Sequence, residues 1–291
     1  MKSLSRRVLE RLVARRPRRA LQLSCAHLNV VAVELRVPED SPLYSSAGGA
    51  TVELPIDEVI APDVLDRGRW QTDVLELFKA HAPAQPCVLL DIGANVGLMT
   101  RQLVHALPQI VAAACFEPHP ASFKYLQRNL SHLPQCHPVQ AAVGMAGGDL
   151  VFYQDLRNAG NYSLNPDAMR GQRYTTTRVR GVAADEAELL APFEPSQRTL
   201  PIVWKSDTQG FDERIVTSLS DAFWAQVHCG VMEVSRIDRP QFDRNRLGAI
   251  LERFAVRCFA DDPQRTVPVE EVLEFSQGMD NRHRDVFFAR S

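Results

Sequence analysis

The sequence predicts a doubly wound α/β fold with a mostly parallel sheet, and three observations carry that prediction. Short apolar runs, such as Val88-Leu89-Leu90, Val111 to Phe116, Leu200 to Lys205 and Val227 to Val234, suit strands buried on both faces, as parallel strands between helical layers must be. From Val88 onward these runs alternate with segments of helical spacing, the first marked by Val96, Met99, Leu103 and Leu107, and alternation of this kind argues for a parallel sheet. Two runs end in a carboxylate, Asp91 and Glu117, and the first passes at once into the glycine turn Asp91-Ile-Gly-Ala-Asn-Val-Gly97. In open α/β sheets ligands bind at that carboxyl edge.

The elements follow in order. Residues 1–20 carry eight basic side chains against Glu10, with Leu4, Val8, Leu12 and Val13 at helical spacing. The favoured reading is a solvated helix packed on the domain by its apolar side. A basic helix lying on an anionic membrane is the sharper alternative, but the apolar face is short and lacks Trp or Phe. Residues 28–37 and 52–60 read as strands of a small β extension, so residues 1–62 form an N-terminal extension and 63–291 the main domain. A helix is expected over Asp63–Ala82, ended by Pro83 and Pro86. After Glu117 come a helix from Ala121 to Leu130, a short strand over Val139–Val143, and a strand over Leu150–Tyr153. The polar stretch from Asn158 to Arg180 reads as a long loop, with a strand over Thr175–Val182. A helix over Glu213–Leu219, a helix over Asp238–Phe254 and a strand over Val256–Ala260 follow, and His283–Ala289 reads as a last, edge strand.

Composition narrows the classes. The chain has 291 residues, 45% apolar and 23% charged, with a net charge of −2, which is ordinary for a soluble globular protein and gives no global case for nucleic-acid binding. The six cysteines are scattered without a Cys-x-x-Cys pair and read as reduced, mostly buried thiols, hence a cytoplasmic setting. No apolar run reaches the length of a membrane span, and no apolar core follows the N-terminal charges as a secretory signal would need. Only four of the 33 basic residues are lysine, a bias that suggests a GC-rich bacterial genome.

The glycine turn narrows the ligand. A dinucleotide-binding turn starting at Gly93 would need glycines at positions 95 and 98, which hold Asn95 and Leu98. Asp91 would repel a phosphate and suits a cationic or hydroxyl-rich ligand. Asp-x-Gly-x-Asn-x-Gly resembles the first motif of S-adenosyl-L-methionine (SAM) dependent methyltransferases, whose cofactor carries an ammonium, a sulfonium and a ribose but no phosphate. Asp91, Gly93, Asn95 and Gly97 are therefore candidate cofactor residues. Glu117, one helix and one strand later, is a candidate partner of the ribose hydroxyls; the same acid would serve NAD, so the glycine spacing chooses between them. Ala142 would meet the adenine edge through its backbone.

Leu90-Asp-Ile-Gly-Ala-Asn-Val-Gly97, Phe116-Glu-Pro118, the Asn161/Ser163 loop and Trp204-Lys-Ser-Asp-Thr-Gln-Gly-Phe-Asp212 occur in the order seen in FkbM-type SAM-dependent methyltransferases, and residues 70–235 resemble that family. Its Lys-x-Asp-x-Gln-Gly-x-Glu-like segment is here Lys205, Asp207, Gln209, Gly210 and Asp212, with Asp in place of Glu. The resemblance implies a class I methyltransferase (Rossmann-like) fold with a seven-stranded sheet, and O-methylation of a sugar or other small-molecule hydroxyl. Asn161 and Gln209 are the expected acceptor contacts.

An alcohol acceptor loses a proton as the new bond forms, so a base or a metal near the methyl helps. Asp207, at the mouth of the cofactor site, is the expected base, with capping of the next helix as its alternative role; Lys205 could pair with it. Asp207 and Glu233 could together hold a divalent metal, although two carboxylates make a thin site and a metal is not indicated. His119 is expected near the ribose, as a surface or supporting residue. The acceptor is expected to be a small molecule or glycan, with lipid-linked and secondary-metabolite acceptors and a catalytically idle SAM-binding protein as alternatives. Nucleic acid is not expected, and the basic N-terminus leaves open a peripheral membrane contact.

Overall fold

The computed structural model describes residues 32–37, 41–44, 51–55, 60–156, 158, 160–236, 242–278, 280 and 282–291. The basic stretch 1–20, Cys25 and the start of the strand expected from Leu28 lie outside the described residues, as does the start of the helix expected from Asp238.

The described chain begins with β1 (Ala32–Arg36) and β2 (Thr51–Pro55), paired antiparallel. Helices α1 (Ile60–Arg67) and α2 (Thr72–His81) follow. A single helix was expected here; it is broken because Gly68 (φ +64°) and Gln71 (φ +44°) are both left-handed, a conformation that ends an α-helix. Next come β3 (Cys87–Ile92), α3 (Leu98–Ala106), β4 (Ile110–Phe116), α4 (Pro120–Leu130) and β5 (Cys136–Val139). The chain then makes β6 (Ala142–Gly144), β7 (Gly148–Asp155), β8 (Tyr162–Ser163), a 3₁₀ turn at Pro166–Met169, β9 (Tyr174–Ala183) and α5 (Glu186–Leu190). It continues with β10 (Ile202–Ser206), α6 (Asp212–Ser218), α7 (Asp221–Gln226) and β11 (Val227–Ser235). The last elements are α8 (Arg244–Leu251), β12 (Val256–Phe259), α9 (Val269–Phe275) and β13 (His283–Ala289).

Seven strands form the main sheet in the order β12-β13-β11-β10-β3-β4-β5. The pairs among β5, β4, β3, β10 and β11 are all parallel, and β13 runs antiparallel to both of its neighbours. The order reverses between β3 and β10, which is where ligands bind in such sheets. A central first strand, this reversal, and one antiparallel strand inserted next to the edge define the Rossmann-like sheet of class I methyltransferases. The expectation for His283–Ala289 is corrected here: β13 lies between β11 and β12, and β12 is the edge. Val286 to Ala289 are buried in succession, as a strand covered on both faces and both sides must be.

The expected strand over 139–143 divides in two. β5 closes the main sheet, whereas β6 joins β9, β7 and β8 in a separate four-stranded sheet. The stretch 158–180 read as a polar loop gives β8 and the first seven residues of β9 to that sheet, in which β7 and β9 pair antiparallel from Gly148↔Gly181 to Asp155↔Tyr174. Each face of the main sheet carries an apolar layer, one built around Trp204, Trp224, Phe254 and Phe288, the other around Phe78, Leu103, Leu126 and Phe287. All five described cysteines are buried and none is in a disulfide.

The elements ahead of the main sheet share a core with the glycine turn: Leu43, Val52, Leu54, Ile60 and Val64 pack with Val96 and Leu98. Buried polar side chains on α3 and α4 complete the join. The Arg101 guanidinium donates to the carbonyls of Leu43 (2.6 Å), Thr51 (2.8 Å) and Asn129 (3.4 Å), and burial pulls its pKa down to about 10. Asn129 accepts from the Glu53 N–H and donates to the carbonyls of Glu53 and Val96, each at 2.8 Å. Arg101→Leu is expected to lower the unfolding free energy by about 2–4 kcal/mol, since buried carbonyls lose charged donors. An unchanged urea midpoint with unchanged slope would contradict this role.

Candidate active site

A cavity of about 920 Å³ opens at the carboxyl edge of the sheet, at the order reversal. It is lined there by Gly93 to Val96, Glu117, Ala142, Asp207 and Gln209. The volume is at the upper end for small-molecule sites.

The turn after β3 is shaped by two close approaches. Gly93 has φ +79°, and a Cβ there would stand 2.1 Å from the Asp207 carbonyl oxygen. Gly97 has φ +83°, and its Cβ would meet Leu126 at 2.8 Å. Gly93 admits no side chain without moving the backbone after β10, and at Gly97 the Leu126 side chain would have to give way and the positive φ would be strained. Asn95 is left-handed as well, at φ +50°; a non-glycine residue held in this region marks strain that the surroundings enforce.

Glu117 follows the end of β4 and is 5% exposed. Its Oε2 accepts from the Asn95 N–H at 2.9 Å and its Oε1 from the His119 N–H at 2.7 Å. Burial raises its pKa, and these two N–H groups and Lys205 counter only part of that, leaving it at about 7. His119 caps α4 by accepting from the Ser122 N–H and packs edge-on against Tyr162 at 4.8 Å.

Asp91 and Lys205 form a buried ion pair, Nζ to Oδ1 3.0 Å. Thr100 on α3 donates to Asp91 Oδ2 at 2.5 Å, and Lys205 Nζ donates to the Gly93 carbonyl at 2.7 Å. Burial disfavours the Lys205 ammonium, but Asp91 and Asp207 outweigh it and hold the pKa above the ordinary value. The pair ties β10 to the glycine turn from beneath.

The next two strands bring an acidic wall. Asp207 stands after β10, Glu233 near the end of β11, and Asp285 directly across from Glu233 on β13. All three line the cavity. Gln209, left-handed at φ +55°, donates through Nε2 to Asp207 Oδ1 (2.6 Å) and Glu233 Oε2 (2.7 Å). Ser235 Oγ donates to Glu233 Oε1 at 2.9 Å. Burial and then Asp207 raise both the Glu233 and Asp285 carboxyls, the latter to about 7.

Of the residues singled out in the sequence, the cavity brings together Gly93, Asn95, Glu117 and Ala142 with Lys205, Asp207, Gln209 and Glu233. Asp91 and Gly97 do not line it; they shape the turn from behind. Asn161 does not line it either, and donates instead to Asp155 at 2.9 Å within its own loop, while Gly160 and Tyr162 face the cavity. Asp207 makes no side-chain cap on α6; Asp212 accepts from the Thr208 N–H instead. Among the described residues no group of three His, Cys, Asp or Glu could hold a metal, and between Asp207 and Glu233 stands the Gln209 amide.

Residues missed in the sequence include Asp285, Arg69, Trp70 and Thr72, all lining the cavity. Asp285 starts an antiparallel strand, so its beginning rather than its end reaches the site. Trp70 fits a helical apolar pattern and carries no signal of its own; the neighbouring Gly68 was the available sign of a break.

No protein-family model matches the chain, and neither does any curated protein. Solved structures with similar folds include a protein of the NADB-Rossmann superfamily from Streptococcus agalactiae (TM-score 0.36, 11% identity, 75% of this chain and 68% of that chain). Another is a candidate tRNA (m1A22) methyltransferase from Streptococcus pneumoniae in complex with SAM (TM-score 0.36, 13% identity, 75% and 72%). A third is a methyltransferase FkbM from Methylobacillus flagellatus (TM-score 0.32, 10% identity, 70% and 43%). At such scores the assignment of the fold rests on the strand order itself. No described helix is long and apolar enough to cross a membrane.

Proposed function

We propose that the protein is a SAM-dependent methyltransferase that acts on a hydroxyl of a small-molecule or glycan acceptor. The observation that carries this is the turn after β3, which lacks the glycine spacing of a dinucleotide site and is bonded to the Glu117 carboxylate on the cavity wall. A nucleoside without phosphate fits: its ribose hydroxyls are donors and Glu117 accepts. Asn95 and Leu98 stand where a dinucleotide turn needs glycine. The FkbM-type resemblance of the two segments, at residues 90–97 and 204–212, supports the same reading.

Gly93, Asn95, Glu117 and the Ala142 backbone would hold the cofactor, which supplies an electrophilic methyl group on a sulfonium. Asp207 is the proposed base. Its Oδ1 is held by Gln209, and its Oδ2 takes no hydrogen bond among the described residues, so it can accept the hydroxyl proton. Lys205 serves by fixing Asp91 and the Gly93 carbonyl. The acidic wall and the net charge of −2 favour an uncharged or cationic acceptor over a polyanion such as nucleic acid.

The test is calorimetric titration with S-adenosylhomocysteine between pH 5.5 and 8.5, with NAD as control. The ionised Glu117 is the form that accepts two hydroxyls, so affinity should rise about tenfold per pH unit up to about pH 7 and then level. Glu117→Gln should bind more weakly and lose that slope. Binding of NAD instead, or a pH profile identical in the variant, would sink this assignment.

A further inference from the structure

We infer that Gln102 is a positioning residue for the ligand cavity: it does not line the cavity, yet it sets where the Arg69–Asp73 wall stands. The inference rests on the methyltransferase reading for the identity of the ligand, and on geometry alone for the placement. Gln102 is fully buried on α3, the helix that starts where the glycine turn ends. Its Oε1 accepts from the Trp70 N–H at 3.1 Å, and its Nε2 donates to the Trp70 carbonyl at 2.8 Å. A neighbouring strand would make this pair of bonds; here a side-chain amide makes it, to a residue outside any helix or strand.

The Trp70 ring packs against the apolar cluster that holds Ile60, Val64 and Val96, but the Trp70 backbone has little else to hold it in place. Trp70 lies between the left-handed Gly68 and Gln71, so neither α1 nor α2 carries its backbone. Among the described residues no other group bonds the Trp70 N–H or carbonyl. The first turn of α2 has no side-chain cap. Arg69, Trp70, Gln71, Thr72 and Asp73 all face the cavity. One rigid helix thus carries the glycine turn at its start and this wall through Gln102, and keeps the two walls at a constant spacing. Without the amide, two half-buried backbone groups lose their partners, and the segment shifts to reach water.

Trp70 reports on its own position. The chain has three tryptophans, and Trp204 and Trp224 are fully buried, so quenching by acrylamide reads Trp70. The experiment compares full-length wild type, Gln102→Leu and Gln102→Glu, each with and without Trp70→Phe, by quenching without ligand and by titration with S-adenosylhomocysteine. Gln102→Leu should change the quenching, weaken binding about tenfold or more, and leave a cooperative unfolding transition. Gln102→Glu keeps the acceptor and, only while its buried carboxyl is protonated, the donor, so it should fall between and move toward Gln102→Leu as the pH rises, and Trp70→Phe should abolish the quenching difference. If Gln102→Leu does not fold, the Gln102→Glu comparison decides. Unchanged quenching together with affinity within about twofold of wild type would overturn the inference. If wild type binds no S-adenosylhomocysteine, the methyltransferase reading fails, and the quenching arm still decides the placement.

Discussion

Replacing Lys205 with Met is expected to remove about 3–5 kcal/mol of stability, the scale found when one partner of a buried ion pair is lost. Asp91 has no exposed surface, and without the ammonium 3.0 Å away only Thr100 meets its charge. The Gly93 carbonyl loses its donor as well, so the glycine turn should loosen and cofactor affinity fall. Lys205→Met combined with Asp91→Asn should recover most of the loss, because the buried charge is gone and the Thr100 bond can remain. Urea unfolding of the two single variants and the double variant measures this. A single Lys205→Met variant within about 1 kcal/mol of wild type would show that the pair is not the tie described here.

Asp207→Asn should lower turnover by about 10²- to 10⁴-fold, the range for loss of a positioned general base, and leave S-adenosylhomocysteine affinity within about twofold. Asparagine keeps the oxygen that Gln209 binds, so the wall between Asp207 and Glu233 should hold its shape while the proton acceptor is lost. Kinetics with an acceptor found by screening, next to calorimetry on the same variant, separates the two effects. Equal loss of binding and turnover would make Asp207 a residue that shapes the pocket. A wild-type protein that binds the cofactor and methylates nothing would match the idle-pocket alternative.

The doubly wound sheet was legible because its cues are local. Val88 to Leu90 and Val111 to Phe116 announce buried strands by composition alone, and Asp91, Glu117 and the two glycines lie within a few residues of those strand ends. That Asp207, Gln209 and Glu233 meet at one edge was legible for the same reason: parallel strands all deliver their carboxyl ends to one edge. What remained hidden depends on partners distant in the chain. β13 has the apolar alternation of an edge strand until β11 and β12 close on both of its sides, and only then does Asp285 face Glu233. Val139–Val143 reads as one strand, yet its two halves belong to different sheets. Asp91 looks like a ligand contact from its place beside the glycines; Lys205, more than a hundred residues on, turns it into the buried half of an ion pair. Trp70 reads as one more apolar helix residue, and its place on the cavity wall is decided by two hydrogen bonds with Gln102, one accepted and one donated by its amide. Periodicity and turn chemistry act over a few residues and can be read in order along the chain, whereas strand neighbours, buried charge partners and side-chain-to-backbone ties exist only once the chain has folded.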